Sequence, residues 1–177
     1  MKFDWKKHSD KIMSISAVVT AVAALVVAVL EVRNEQQFQK LSVEPYIELG
    51  NTGGEAIGHY AFLLTNNGLG PAVIKSATIY VDGSPVSAWN EAVHLATDND
   101  ESYPSTLSDV SYNRRIRAAE TVEVFRISDY SALARSFHKE MNADRVQYHV
   151  CYCSIYEECW RTVYGKQVTH QPVSKCE

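Results

Sequence analysis

The sequence predicts a mainly β protein: one N-terminal transmembrane helix followed by an antiparallel β-sandwich with one or two inserted helices. Three observations predict it. Residues 12 to 30, IMSISAVVTAVAALVVAVL, carry no charge and no proline, and as a helix they span about 28 Å, the hydrocarbon thickness of a bilayer. Beyond Pro45 the chain breaks into short β-prone runs separated by turn residues. A clear helical period returns in one place only, residues 129 to 142.

The helix comes first. A cleaved signal peptide would have a shorter apolar region and a small-residue exit, whereas this run leaves through AVLEVRNE. The reading is an uncleaved span over residues 12–31, preceded by a tail (1–11) and followed by a helical juxtamembrane spacer (32–43). Lys2, Lys6, Lys7 and Lys11 precede the span, and Arg33 and Lys40 follow it. The positive-inside rule then puts the N-terminus in the cytoplasm and the β-domain on the periplasmic or extracellular side of a cell inner membrane, with a cytoplasmic domain as the alternative. Ser16, Thr20, Ala24 and Ala28 make a stripe of small residues, a face for helix–helix packing and so for a homo-oligomer in the bilayer.

Residues 44–177 form the β-domain. With 177 residues, 46% hydrophobic and 21% charged, the chain has ordinary globular composition and enough length for one real core. Residues 1–42 hold six basic and four acidic side chains, and the rest eleven and seventeen, so the domain is acidic and general nucleic-acid binding is excluded. Six strands are expected. EPYIELG (44–50) is the first, and NTGGEAIG (51–58) follows as a turn. HYAFLLTN (59–66) is the second. The connection NGLGPA (67–72) has Asn67, Gly68 and Gly70 to supply left-handed conformations. Residues 72–83 are the third, closing in a DG turn. SAWNEAVHLA (87–96) is a helix capped by Ser87, and 97–113 a long polar loop of the kind that often binds. TVEVFRIS (121–128) is the fourth strand. In 129–142, Tyr130, Leu133, Ala134, Phe137 and Met141 share a helical face, with Ser128 as cap. RVQYHVCYCSIY and CWRTVYG close as a hairpin.

The passage YAFLLTNNGLGPAVIKSATIYVDG resembles the corresponding region of immunoglobulin-like extracellular modules of the CARDB type, and the architecture resembles that of uncharacterised bacterial membrane proteins with one span and one β-sandwich. The resemblance covers about 25 residues. It implies an immunoglobulin-like fold and no activity. The same architecture also resembles membrane-disrupting effectors of bacterial antiphage defence systems, in which a cytosolic β-domain senses a signal such as a nucleotide.

Two groups of side chains could carry chemistry. On a strand, Cys151 and Cys153 point to one face together with His149, and a turn near Tyr156 would bring Cys159 opposite Cys153; Cys176 could fold back. Four readings stand: disulfides, where Cys153–Cys159 across the hairpin is the better pair, Cys151–Cys176 would complete the count, and the sequence alone does not choose among three pairings; a zinc site, for which C-x-C in a strand is atypical spacing; a reactive thiol, which the neighbouring Glu157 and Glu158 disfavour; and small buried hydrophobes. Arg114, Arg115 and Arg117 break the acidic domain and could bind a phosphate or an acidic partner, or simply pair with Asp98, Asp100 and Glu101. His59, His94, His138, His149 and His170 are scattered without ligand spacing. No catalytic motif and no cofactor fingerprint appears, so the expectation is a non-enzymatic binding or sensor module, partnered by the bilayer, by its own copies, and by an unknown protein or small molecule.

Overall fold

A computed structural model describes residues 5–100, 102–165 and 169–176, and the chain divides into two units at Leu41/Ser42. The first unit is helix α1, Trp5–Ser42. It is one continuous helix across residues expected to be tail, span and spacer. From Met13 to Ser42 its mean hydropathy and length suffice to cross a membrane, and every one of these side chains is exposed. The hydroxyls on its small-residue stripe are satisfied along the helix itself: Ser16 donates to the Met13 carbonyl (2.9 Å) and Thr20 to the Ser16 carbonyl (2.8 Å).

The second unit is mainly β, built of two antiparallel sheets. Strand β1 is Ile47–Gly54, β2 His59–Asn66, β3 Ala72–Val81 and β4 Ser84–Val86. Helix α2 (Trp89–Thr97) follows, then β5 (Ser105–Leu107), β6 (Arg115–Ile116) and β7 (Thr121–Ile127). Helix α3 (Ala132–Asn142) precedes β8 (Val146–Cys153), β9 (Cys159–Tyr164) and β10 (Thr169–Val173). One sheet has the order β1-β2-β7-β5; the other has the order β10-β9-β8-β3-β4, with β6 paired to the start of β3. Inward side chains of both sheets and both helices form one core. Its centre is aromatic: Trp89 of α2 stacks on Phe125 at 5.1 Å, and Phe62 meets Tyr148 edge-on at 5.5 Å.

Several expectations are corrected. Ten strands are present among the described residues rather than six. β1 runs on through Asn51–Gly54, which was expected to be turn, because its partner β2 extends the ladder that far. The loop 97–113 contains β5, which covers the edge of β7. The last hairpin gains β10 as a third strand, with Pro172 tolerated because β10 is an edge. Neither predicted cap holds. Ser87 instead donates its backbone N–H and hydroxyl to Glu91 (2.8 and 2.7 Å), and Ala88 is the N-cap of α2. Ser128 is engaged by the Pro104 carbonyl in the β5–β7 ladder, so α3 starts three residues later, where Ser131 Oγ accepts from Ala134 N. The DG turn forms as expected, with Asp82 and Gly83 both at positive φ, as a type I′ hairpin requires.

The connection 67–72 differs most instructively. None of Asn67, Gly68 and Gly70 is left-handed. Gly68 and Gly70 are needed for close backbone approach: a Cβ on Gly68 would meet Tyr46 N and the Glu44 carbonyl, and one on Gly70 would strike the Val43 carbonyl. The backbone N–H groups of Leu69 and Gly70 both point to the Glu44 carbonyl at 2.9 and 3.3 Å, and Asn67 N donates to the Tyr46 carbonyl at 2.8 Å. At the centre lies the fully buried Asn66. Its amide donates to the carbonyls of Gly70 (2.8 Å) and Ile116 (3.1 Å), and its oxygen accepts from Tyr46 N (3.1 Å) and Gly68 N (3.0 Å).

Removing that amide strands four backbone groups, so Asn66→Ala should cost on the order of 3 kcal/mol in urea unfolding. Gly70→Ala should be comparably damaging, while Gly50→Ala, whose Cβ meets nothing within 4 Å, should change stability by less than about 1 kcal/mol. Equal midpoints for Gly70→Ala and Gly50→Ala would contradict the close approach.

Candidate functional site

The period of two along β8 sorts its residues. Val146, Tyr148, Val150 and Tyr152 enter the core, which leaves Gln147, His149, Cys151 and Cys153 on the outer face of the second sheet. Across the β8–β9 hairpin, Cys153 is in register with Cys159, and Cys151 with Arg161. The turn between them is held by Ser154, whose N–H donates to the Glu158 carbonyl (2.8 Å) and whose Oγ accepts from Tyr156 N (3.2 Å) and Glu158 N (3.3 Å), with Glu157 at positive φ. β10 then runs back along β9 and returns the C-terminal segment to β8.

The cysteines are paired as two disulfides, Cys153–Cys159 and Cys151–Cys176, with Cα separations of 4.0 and 5.7 Å. The bridges touch. Cys153 Sγ lies 3.9 Å from Cys176 Sγ, and the sulfurs of Cys153, Cys159 and Cys176 all lie within 4.8 Å of one another. Beside them opens a cavity of about 460 Å³, walled by the disulfides, Lys75, Tyr112, Glu157 and Lys175.

Lys75, Tyr112 and Lys175 were not flagged by the sequence, and local structure explains the first two. Lys75 sits at a bulge, where the β3–β8 register shifts between Ile74 and Ser76. The loop carrying Tyr112 is pinned to that bulge: Asn113 N donates to the Ile74 carbonyl (2.8 Å) and Ile74 N to the Arg114 carbonyl (2.9 Å). Lys75 Nζ consequently stands 6.0 Å from the centroid of the Tyr112 ring, an exposed cation–π contact. The only signal for it in the sequence is the lysine that interrupts the apolar run AVIKSA. Further along the same face, Ser76, Thr78, Tyr80, His149 and Arg161 line a polar groove of about 180 Å³, with the His149 and Tyr80 rings 4.4 Å apart.

The arginine cluster does not converge. Arg114 donates to the Asp109 carbonyl, Arg115 lies exposed on β6, and Arg117 pairs with Glu120 at 3.3 Å. The Arg117 N–H and guanidinium hold the Glu120 carboxyl below its ordinary range. Asp100 faces His94 rather than an arginine; Glu101 lies outside the described residues.

A polar seam links this region to the first sheet. Ile47 N donates to the Tyr152 hydroxyl (3.0 Å), Thr162 Oγ1 donates to the Ile47 carbonyl (3.3 Å), and His170 Nδ1 lies 3.1 Å from the Tyr152 hydroxyl and 3.2 Å from Thr162 Oγ1. Burial pushes the Tyr152 phenol up to about 12. Burial lowers the affinity of His170 for a proton, as it does for His138 beside Tyr130 and for His149, where Arg161 adds to the effect.

No family model matches the sequence, and no curated protein is significantly similar to it.

The three histidines fix the sign of one pH effect. Their folded values lie below the unfolded value of about 6.5, so the unfolded chain binds more protons as pH falls. The histidine contribution is full above about pH 6.5 and is lost as pH drops through the folded values. The urea midpoint should therefore fall between pH 7.5 and pH 5, and His170→Gln should reduce that dependence. A midpoint constant over this window would contradict the assignment.

Proposed function

We propose that this chain is a membrane-anchored, non-enzymatic binding or sensor module. One uncleaved helix holds an immunoglobulin-like β-domain on the outer side of a cell membrane, and the cavity beside the disulfides takes a small anionic ligand. The observation that carries the reading is the cavity itself: two ammonium groups and a phenol ring oppose a single carboxylate in an otherwise acidic domain. The disulfides cross-link one wall of the cavity, and a pre-formed site pays less ordering entropy. In this state the sulfurs are bonded to one another and offer no nucleophile.

Two disulfides support an oxidising compartment, since cytosolic thiols are kept reduced. They agree with the orientation that the N-terminal lysines favour and weigh against the alternative, a membrane-disrupting effector with a cytosolic sensing domain. The stripe of Ser16, Thr20, Ala24 and Ala28 supports self-association, which would multiply weak binding by avidity.

Topology is tested in spheroplasts with a membrane-impermeant maleimide. Cysteine labelling should require an impermeant reductant and no lysis; labelling only after lysis, without reductant, would overturn the reading. Ligand binding is tested by saturation-transfer NMR on the full chain in micelles, with small aromatic carboxylates and phosphates as probes. Lys75→Glu combined with Lys175→Glu should weaken any hit at least about tenfold, the scale of a lost charge-assisted contact, and an unchanged signal would remove the cavity from consideration.

A further inference from the structure

We propose that the four cysteines form a redox-gated metal site: once both disulfides are reduced, Cys151, Cys153, Cys159 and Cys176 hold one Zn²⁺ as a tetrahedral tetrathiolate. The inference is independent of any ligand in the cavity. Zinc–thiolate bonds of about 2.3 Å in a tetrahedron place the sulfurs about 3.8 Å apart. The one close non-bonded pair, Cys153 and Cys176, already stands at 3.9 Å, and Cys159 completes a triangle with no separation above 4.8 Å. Cys151, bonded to Cys176 in the oxidised chain, is the fourth ligand. Breaking each S–S bond lets the partners separate by side-chain rotation, while the strand register of Cys153 against Cys159 keeps the backbones in place. Cys151 and Cys153 are each only 3% exposed, Cys159 is 9% exposed, and Cys176 is half-buried at the cavity wall.

Charge is matched as well. Four thiolates around Zn²⁺ leave a net charge of −2, and Lys75 and Lys175 line the adjoining cavity. The balance of the step is simple. Each protein disulfide accepts two electrons and two protons from a dithiol reductant, which leaves as its own disulfide, so two dithiols yield four thiols. Zinc then displaces four protons from those thiols. In the reverse direction two disulfide oxidants each take two electrons from the thiolates and two protons from solvent and leave as thiols, which re-forms both bridges and expels the metal.

The test uses the full chain in detergent micelles, reduced anaerobically with a phosphine and titrated with Co²⁺. The expected result is one equivalent bound with a thiolate-to-cobalt charge-transfer band and tetrahedral d–d bands, both erased by Zn²⁺. The oxidised chain should give neither band. Cys151→Ser and Cys176→Ser should each weaken the reduced chain's affinity about tenfold or more. Near-UV circular dichroism follows the fold in parallel, and if reduction loosens the domain, metal should restore the native spectrum. An octahedral spectrum, no uptake by the reduced chain, or a serine variant that binds as tightly as the parent would overturn the site.

Discussion

The β-domain depends on one buried amide. Asn66 uses all four of its hydrogen-bonding positions on backbone groups from separate stretches of chain: the entry at Tyr46, the turn at Gly68 and Gly70, and β6 at Ile116. Its own backbone is also engaged, its N–H by the Glu120 carbonyl and its carbonyl by Ala119 N. A buried group with this many partners has no slack, because each lost bond leaves a desolvated peptide group behind. The entry to β1, the end of β2, the start of β3 and the approach to β7 are therefore set by one side chain. Gly68 and Gly70 make it possible, since any Cβ there would hold the entry strand away from the amide.

The second sheet inherits its position through that arrangement. Ile47, one residue beyond the Tyr46 N–H that Asn66 holds, has both backbone polar groups satisfied from β8 and β9, by Tyr152 and Thr162. Those bonds fix which face of β8 looks inward. Once Tyr152 is inside, the period of two places Cys151 and Cys153 outside, and the β8–β9 register sets Cys159 against Cys153. The sulfur cluster thus follows from the core rather than standing apart from it. A one-residue slip would turn the cysteines toward the core and the tyrosines away from it.

Much of this was legible in the sequence, and the failures have physical causes. The alternation in HYAFLLTN marks β2 at its observed bounds, and the apolar face of residues 133 to 141 marks α3, because both signals come from burial against the core. The pairing partners of Cys151 and Cys153 were legible only as a preference, since the choice needs β10 to bring Cys176 back, and THQPV reads as polar coil. β5 and β6 were missed for the same reason: two or three residues paired at a sheet edge carry no periodicity. The turn glycines were assigned the wrong duty. A sequence reveals that a glycine is present but not whether it serves φ or contact distance. Lys75 showed only as an interruption of an apolar run, because a bulge is a property of two strands, not one.

The proposed anchor and the cluster bear on each other through redox chemistry. A thiol set of this kind has two stable fates, sulfur–sulfur bonds or metal–sulfur bonds, and the compartment decides between them. On the proposed topology the domain crosses from a reducing to an oxidising side on its way out, so the same four residues meet both conditions in one lifetime. Either fate ties the C-terminal segment to β8 and keeps Lys175 beside Lys75 at the cavity wall, since Cys176 is the attachment point in both. On the proposal above, the reduced, metal-free state would leave that segment held through the β10–β9 ladder alone. The shape of the cavity is therefore tied to the oxidation state of a cluster that the core, through Tyr152 and Ile47, holds in place.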